Sequence, residues 1–119
     1  MWEVEYTEQF GEWWETLSED QQEALAARVD LLAESGPTLG RPVVDTIEHA
    51  RHPNMKELRV SAGGALRVLF VFDPRTTAIL LLGGDKTGQW AAWYRKAIPA
   101  ADDLYDEYLA EIRKGGLIE

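Results

Sequence analysis

Three strand-like runs separated by tight turn signals, about Met55–Ser61, Leu66–Asp73 and Thr77–Gly83, do most to limit what this chain can fold into. Each has the length of a strand, and the turn signals bound them as strands. Gly63-Gly64 lies between the first two and Asp73-Pro74-Arg75 between the second two. Connections this short join antiparallel neighbours, because a parallel return needs a crossover of a dozen or more residues. Alternation then assigns the faces. On the first strand Leu58 and Val60 share one face, and Glu57 and Arg59 the other. On the second, Leu66, Val68, Phe70 and Phe72 line one face, while Arg67 points the opposite way among Leu69 and Val71.

The flanking segments read as follows. Trp2-Glu3-Val4-Glu5-Tyr6 alternates apolar and acidic residues, the pattern of a half-buried strand. Thr7 can cap a helix running to about Leu17, with Phe10, Trp13, Trp14 and Leu17 at helical spacing. Ser18 with Gln21 forms a capping box for a second helix carrying Leu25, Val29 and Leu32, which Gly36-Pro37 stops. Residues 37–54 are irregular and hold three of the five prolines. Gly83 to Gly88 reads as a loop, and the rest is helical from about Trp90, interrupted at Pro99 and ending at Gly115-Gly116. The expectation is one α+β domain over residues 1–119, with the first helix pair on one face of an antiparallel sheet.

Absent cysteine excludes disulfides, thiolate metal sites and a Cys nucleophile. The N-terminus has neither the basic nor the apolar region of a signal peptide, and no apolar run is longer than Ala78 to Leu82, which is far too short to cross a bilayer. A cytoplasmic location with no membrane partner is therefore expected. The formal net charge of -9 argues at first against a nucleic-acid partner, but its distribution is uneven. Residues 1–35 hold one basic residue, Arg28, against ten acids, whereas residues 36–99 hold nine basic residues against five acids. Local potential governs the docking of a polyanion, so the central region, about 41–96, is the expected contact face, with the acidic helices turned outward.

Arg67 sits in an apolar strand, and burying a guanidinium is costly without an acceptor. Two readings stay open at this point. Glu57 pairs with Arg67 or Arg59 across the strands, or the arginines converge on a phosphate, which their planar fork suits. Gly84-Asp85-Lys86-Thr87-Gly88 lacks the spacing of a Walker A motif, and is either an exposed turn or a device placing Lys86 at a sheet edge. His49 and His52 have no metal-ligand partners nearby in sequence, so neither a metal nor another cofactor is expected. His52 precedes the first central strand and is a candidate substrate contact, with a plain surface position as the alternative. Trp90, Trp93 and Tyr94 either stack on bases or fill core. Asp102, Asp103, Asp106 and Glu107 read as a solvated helix face.

Together, Arg41-Pro42-Val43-Val44-Asp45-Thr46, Asn54-Met55-Lys56-Glu57-Leu58-Arg59, Leu66-Arg67-Val68-Leu69-Phe70-Val71-Phe72-Asp73-Pro74, Gly84-Asp85-Lys86-Thr87-Gly88, Trp93-Tyr94 and Ile98-Pro99-Ala100-Ala101-Asp102-Asp103-Leu104-Tyr105 resemble the HigB-like branch of the RelE/ParE toxin superfamily, over roughly residues 2–112. The resemblance implies a compact RelE-like fold, a curved antiparallel sheet with two N-terminal helices and a C-terminal helix. It implies a ribosome-dependent endoribonuclease that cuts mRNA without metal, through attack of the 2′-hydroxyl on the adjacent phosphate, and a cognate antitoxin of helix-turn-helix type. By position, Arg59 and Arg67 would hold the scissile phosphate, Lys56 and Lys86 would add positive charge, and Tyr94 or Trp93 would orient or deprotonate the nucleophile. The catalytic set is then Arg59, Arg67, Lys86 and Tyr94, with Lys56, His52, Trp90 and Trp93 as substrate contacts. Lys56 has the opposite pleat parity to Arg59, so only a bulge or the strand's end would bring both to one phosphate. The ParE branch shares the fold but inhibits DNA gyrase by binding it, which leaves a gyrase inhibitor, or an inactive toxin-fold binding module, as alternatives.

Overall fold

The computed structural model describes residues 1–119, in which three helices and a 3-10 turn pack around a five-stranded sheet. In chain order the elements are β1 (Val4–Tyr6), α1 (Glu8–Glu15), α2 (Glu19–Ser35), β2 (Val44–Thr46), β3 (Lys56–Ser61), β4 (Ala65–Phe72), β5 (Ala78–Asp85) and α3 (Trp90–Lys114), with the 3-10 turn at Gly36–Thr38. The three central strands lie where the strand-like runs place them, antiparallel and in the order β5-β4-β3. Both N-terminal caps form. Thr7 Oγ1 accepts from the Phe10 N–H at 3.1 Å, and Ser18 and Gln21 satisfy each other's backbone N–H groups.

Three departures from the sequence reading lie outside β5. The sheet is mixed, because β1 pairs in parallel with β5, Glu5 opposite Ile79. The irregular stretch contains β2, which pairs antiparallel with β3 at the far edge, Asp45 opposite Glu57. The last helix is continuous through Pro99. Proline removes one N–H there, but Pro99 and Arg95, whose carbonyl loses its donor, are both exposed, so water can replace the bond.

The sheet separates two apolar layers. Phe10, Leu25 and Leu32 from α1 and α2 meet Leu58, Val60, Leu66, Val68 and Phe70 on one face. Ala97, Ala101 and Tyr105 from α3 meet Met55, Leu69, Val71, Ile79 and Leu81 on the other. Each large side chain fully buried here contributes roughly 1.5–3 kcal/mol through lost apolar surface. Alternation in β3 and β4 follows the expected parity, with odd-numbered residues facing α3.

In β5 the parity changes. The β4–β5 register shifts between Leu69 and Phe70, where Leu69 faces Leu82 but Phe70 faces Leu80. Leu81 is the extra residue, and beyond this bulge the even-numbered positions face α3. Gly83 then lies against Trp13 of α1, where a Cβ would fall 2.3 Å from the indole. Gly84 lies against Trp93 of α3, where a Cβ would again fall only 2.3 Å from the indole. Neither position has room for a side chain. Gly83 to Asp85, expected as loop, are thus the end of β5, and the Lys86 N–H extends the ladder by donating to the Ala65 carbonyl at 3.1 Å.

Candidate functional site

The bulge brings Lys86 to the face already occupied by Glu57, Arg59 and Arg67. Arg59 and Arg67 are directly opposite in the β3–β4 ladder. Glu57 lies one step along the same face, its Oε1 3.9 Å from the Nε of both arginines. The first turn of α3 closes over them. The Tyr94 hydroxyl donates to Glu57 Oε2 at 2.6 Å and accepts from Lys86 Nζ at 3.1 Å. Lys86 Nζ also lies 3.9 Å from the centroid of the Trp90 ring, a cation–π contact. Trp93 packs edge-on to Tyr94, centroids 5.0 Å apart, and fills the space above Gly84.

Three charged side chains are buried side by side here: Glu57 is 6% exposed, Arg67 4% and Lys86 5%. Such burial needs mutual compensation. Glu57 supplies one negative charge among three cations, so the cluster keeps a positive excess. Arg67 Nη1 donates to the Leu66 carbonyl at 2.8 Å, but its buried Nε has no hydrogen-bond acceptor. Burial, and then the charge of Arg67, lower the pKa of Lys86 below the ordinary lysine value. Burial and the hydrogen bond to Glu57 push Tyr94 up to about 12, so its hydroxyl keeps its proton through the neutral range.

Beside this cluster the sheet edge opens. β2 pairs with β3 only through Leu58, followed by one bond from the Arg59 N–H to the Val43 carbonyl at 2.8 Å. Past that point Arg59, Ser61 and Arg67 line a hollow of about 220 Å³, bounded by Pro42 and by Arg28 reaching round from α2. The hollow has no apolar side chain apart from the proline ring. Sequence reasoning missed Arg28. A signal was present, since Arg28 is the only base in residues 1–35 and stands on the sheet-facing stripe of Leu25, Val29 and Leu32.

The structure therefore brings together Arg59, Arg67, Lys86, Tyr94, Trp90 and Trp93, and does not bring in Lys56 or His52. Lys56 faces the α1–α2 layer, opposite Phe70, and the bulge that could have turned it lies in β5 instead. His52 is held far along α3. Its Nε2 is 2.8 Å from Asp106, which lies twelve residues beyond Tyr94, roughly 18 Å along the helix axis. Its ring packs edge-on to Tyr105. The acidic face of α3 is correspondingly not simply solvated. Asp102 is buried and accepts the backbone N–H groups of Arg51 and His52 at 2.8 and 3.0 Å, tying residues 51–52 to the helix. Arg51 and then His52 hydrogen-bond Asp106 and lower its pKa to about 2. No three His, Asp or Glu side chains gather as a metal-ligand set.

Residues 12–106 match the family model of the phage-derived protein Gp49-like proteins (DUF891). The chain is 49% identical over 104 residues to HigB3, named as a toxin, of Mycobacterium tuberculosis (strain ATCC 25618 / H37Rv), covering 87% of this chain and 90% of that one. This chain belongs to the Gp49-like family of HigB/RelE-type toxins. A second relative of the toxin from the same organism, HigB2, is 43% identical over 106 residues, covering 87% of this chain and 53% of that one, so the toxin spans about half of HigB2's length. Its fold is similar to the isolated E. coli RelE toxin, with a TM-score of 0.59 at 14% identity over 71% of this chain and 84% of that one. It is also similar to archaeal RelE in the RelE–RelB complex from Pyrococcus horikoshii OT3, with a TM-score of 0.55 at 15% identity over 74% and 97% of the two chains. Three helices on a five-stranded mixed sheet are thus the RelE arrangement, and the toxin has no helix long and apolar enough to cross a membrane.

Proposed function

We propose that this toxin is a metal-independent endoribonuclease that cuts mRNA on the ribosome and so inhibits translation, acting as one domain in the cytoplasm. One observation carries the reading: Arg59 and Arg67 meet on one sheet face with a Lys86–Tyr94–Glu57 hydrogen-bond chain beside them. A protein-binding inhibitor has no need for buried cations gathered at one point. Phosphodiester cleavage does, because charge builds on the phosphoryl oxygens in the transition state.

In this mechanism Arg59 and Arg67 hold the scissile phosphate, and Glu57 fixes both guanidinium groups without neutralising them. The 2′-hydroxyl passes its proton to the Tyr94 oxygen as Tyr94 passes its own to Glu57. The 2′-oxygen then bonds to phosphorus, and the bond to the 5′-oxygen breaks. Lys86, whose lowered pKa eases proton release, protonates that leaving oxygen. The products are a cyclic phosphate and a free 5′-hydroxyl. Trp90, more than half exposed at the rim, offers a face on which a base can stack. A cognate antitoxin is the partner, of helix-turn-helix type as the HigB-like resemblance implies. The archaeal neighbour's occurrence as a RelE–RelB complex supports a partner of this kind.

The test adds purified toxin to a translating extract and maps mRNA ends by primer extension, beside a gyrase supercoiling assay. New 5′-hydroxyl ends that depend on translation are expected, with supercoiling unaffected. Intact mRNA with supercoiling inhibited would replace this reading by the gyrase one.

A further inference from the structure

The hollow at the open edge of β3 is larger than one phosphate group needs, and part of its lining has no place in the reaction just described. Arg28 comes from a helix otherwise rich in carboxylates, yet it makes no ion pair. Its neighbours at helical spacing are Ala24, Leu25, Leu31 and Leu32, none of which can pair with it. α2 is fixed against the sheet edge by the Gln21 side chain, whose Nε2 donates to the Ala62 carbonyl at 3.1 Å. Two turns further on, this docking leaves Arg28 across the hollow from Arg59 and Arg67. Ser61 adds a hydroxyl on the same side, and Arg67 lines the hollow beside Arg59 while its buried Nε faces Glu57. A half-buried arginine held away from its own helix's acids and facing two more arginines across a polar hollow calls for an anion.

We infer that this hollow seats a second phosphodiester of the RNA strand, adjacent to the one that is cut, with Arg28 as a substrate-positioning residue. The inference rests on the endoribonuclease reading for the identity of the strand. The chain path follows from the geometry: the strand enters over the open edge of β3 at Arg28 and Ser61, passes Arg59 and Arg67, and reaches Lys86 and Tyr94 under the start of α3. The outward-turned acidic helix pair thus contributes one cation to the substrate, from the single position where α2 meets the sheet edge.

Two measurements test this. The first is single-turnover cleavage of a reporter mRNA in programmed ribosomes at rising toxin concentration. Arg28→Ala and Arg28→Gln are expected to raise the half-saturating concentration about tenfold while leaving the maximal rate within twofold, with Arg28→Lys intermediate, one positioning contact being on the order of 1.4 kcal/mol. Arg113→Ala, which removes the same charge at the far end of α3, should change neither. The second titrates the arginine Nε–Hε NMR signals with a 2′-O-methyl oligoribonucleotide that cannot be cleaved. Signals of Arg28, Arg59 and Arg67 should move together, and the salt dependence of binding should lose about 0.7 in logarithmic slope in Arg28→Ala. Wild-type cleavage with folded Arg28 variants that match it in both measurements overturns the second seat and leaves the nuclease standing. Absent cleavage, with the three signals still moving, removes the nuclease reading and keeps the seat. Arginine signals unmoved at millimolar oligonucleotide overturn the seat whatever the cleavage result.

Discussion

Arg59 and Arg67 stand directly opposite one another across β3 and β4, two like charges in one cross-strand pair with Glu57 3.9 Å from each. Like charges in that position destabilise a sheet, and Glu57 offsets part of that repulsion. Arg59→Ala should leave thermal stability unchanged or raise it by up to about 1 kcal/mol, while cleavage falls on the order of a hundredfold. Differential scanning calorimetry and a primer-extension time course together check this. A variant that is markedly less stable, yet as active as wild type, would show the pair to be structural.

Arg67 is the more buried of the two, and its removal should be nearly absolute in effect. Arg67→Ala is expected to abolish toxicity on expression, with a rate loss of at least about a hundredfold, equivalent to about 3 kcal/mol of transition-state stabilisation. Far-UV circular dichroism should still report a folded chain. Arg67→Lys keeps the charge but loses the fork, and should recover only a small part of the rate. Wild-type cleavage by either folded variant would remove the phosphate-holding role.

Tyr94 yields a prediction in alkaline solution. Its folded pKa of about 12 lies above the ordinary value of 10.0, so the unfolded chain releases this proton first. The stabilisation is complete below pH 10 and is lost as pH rises from about 10 to about 12. Absorbance of tyrosinate should show one titration near 12 that is missing in Tyr94→Phe. That variant should also lose stability less steeply across the same interval. A Tyr94 titrating at 10 would mean that its contact with Glu57 is not maintained in solution.

The Asp102 anchor separates stability from chemistry. Asp102→Ala leaves the N–H groups of Arg51 and His52 without their acceptor, at a cost of about 2 kcal/mol in urea unfolding. Cleavage by the folded fraction should match wild type, and so should that of His52→Ala. Slow cleavage by a stable, folded His52→Ala variant would put the histidine back among the substrate contacts.

The outer surface of the helix pair should be indifferent to substrate, Arg28 apart. Replacing Glu12, Glu15, Glu19 and Glu23, all exposed, with Lys is expected to preserve the cleavage pattern. Ribosome affinity should change only through long-range attraction that fades with salt. Loss of specific cleavage in this folded variant at high salt would place that surface in the docking interface.

Much of this architecture was legible in the residues. Alternation in Glu57–Val60 and Leu66–Phe72 fixed which face each arginine takes, and Thr7, Ser18 and Gln21 marked the helix starts correctly. Of the two open readings of Glu57 and the arginines, the geometry shows the ion pair: the carboxylate lies beside both guanidinium groups, and it also accepts from Tyr94. What escaped depends on contacts distant in sequence. The parallel pairing of β1 joins residues more than seventy positions apart, and β2 is three residues long with no alternation to read. Arg28 gains its meaning only from how α2 docks against the edge of β3. His52 adjoins β3 in sequence, whereas its contacts with Asp102 and Asp106 on α3 set its position.

The bulge at Leu81 makes the residue count of β5 decide which face of the sheet receives Lys86. A relative one residue shorter between Ile79 and Lys86 could keep every side chain named here and still present its lysine to the α1–α2 layer, away from Tyr94 and Glu57. A single-position gap in an alignment at this point would therefore matter more than many substitutions elsewhere. Descent with indels, rather than point change alone, is a route by which a chain of this family could lose the Lys86–Tyr94–Glu57 hydrogen-bond chain while keeping its fold.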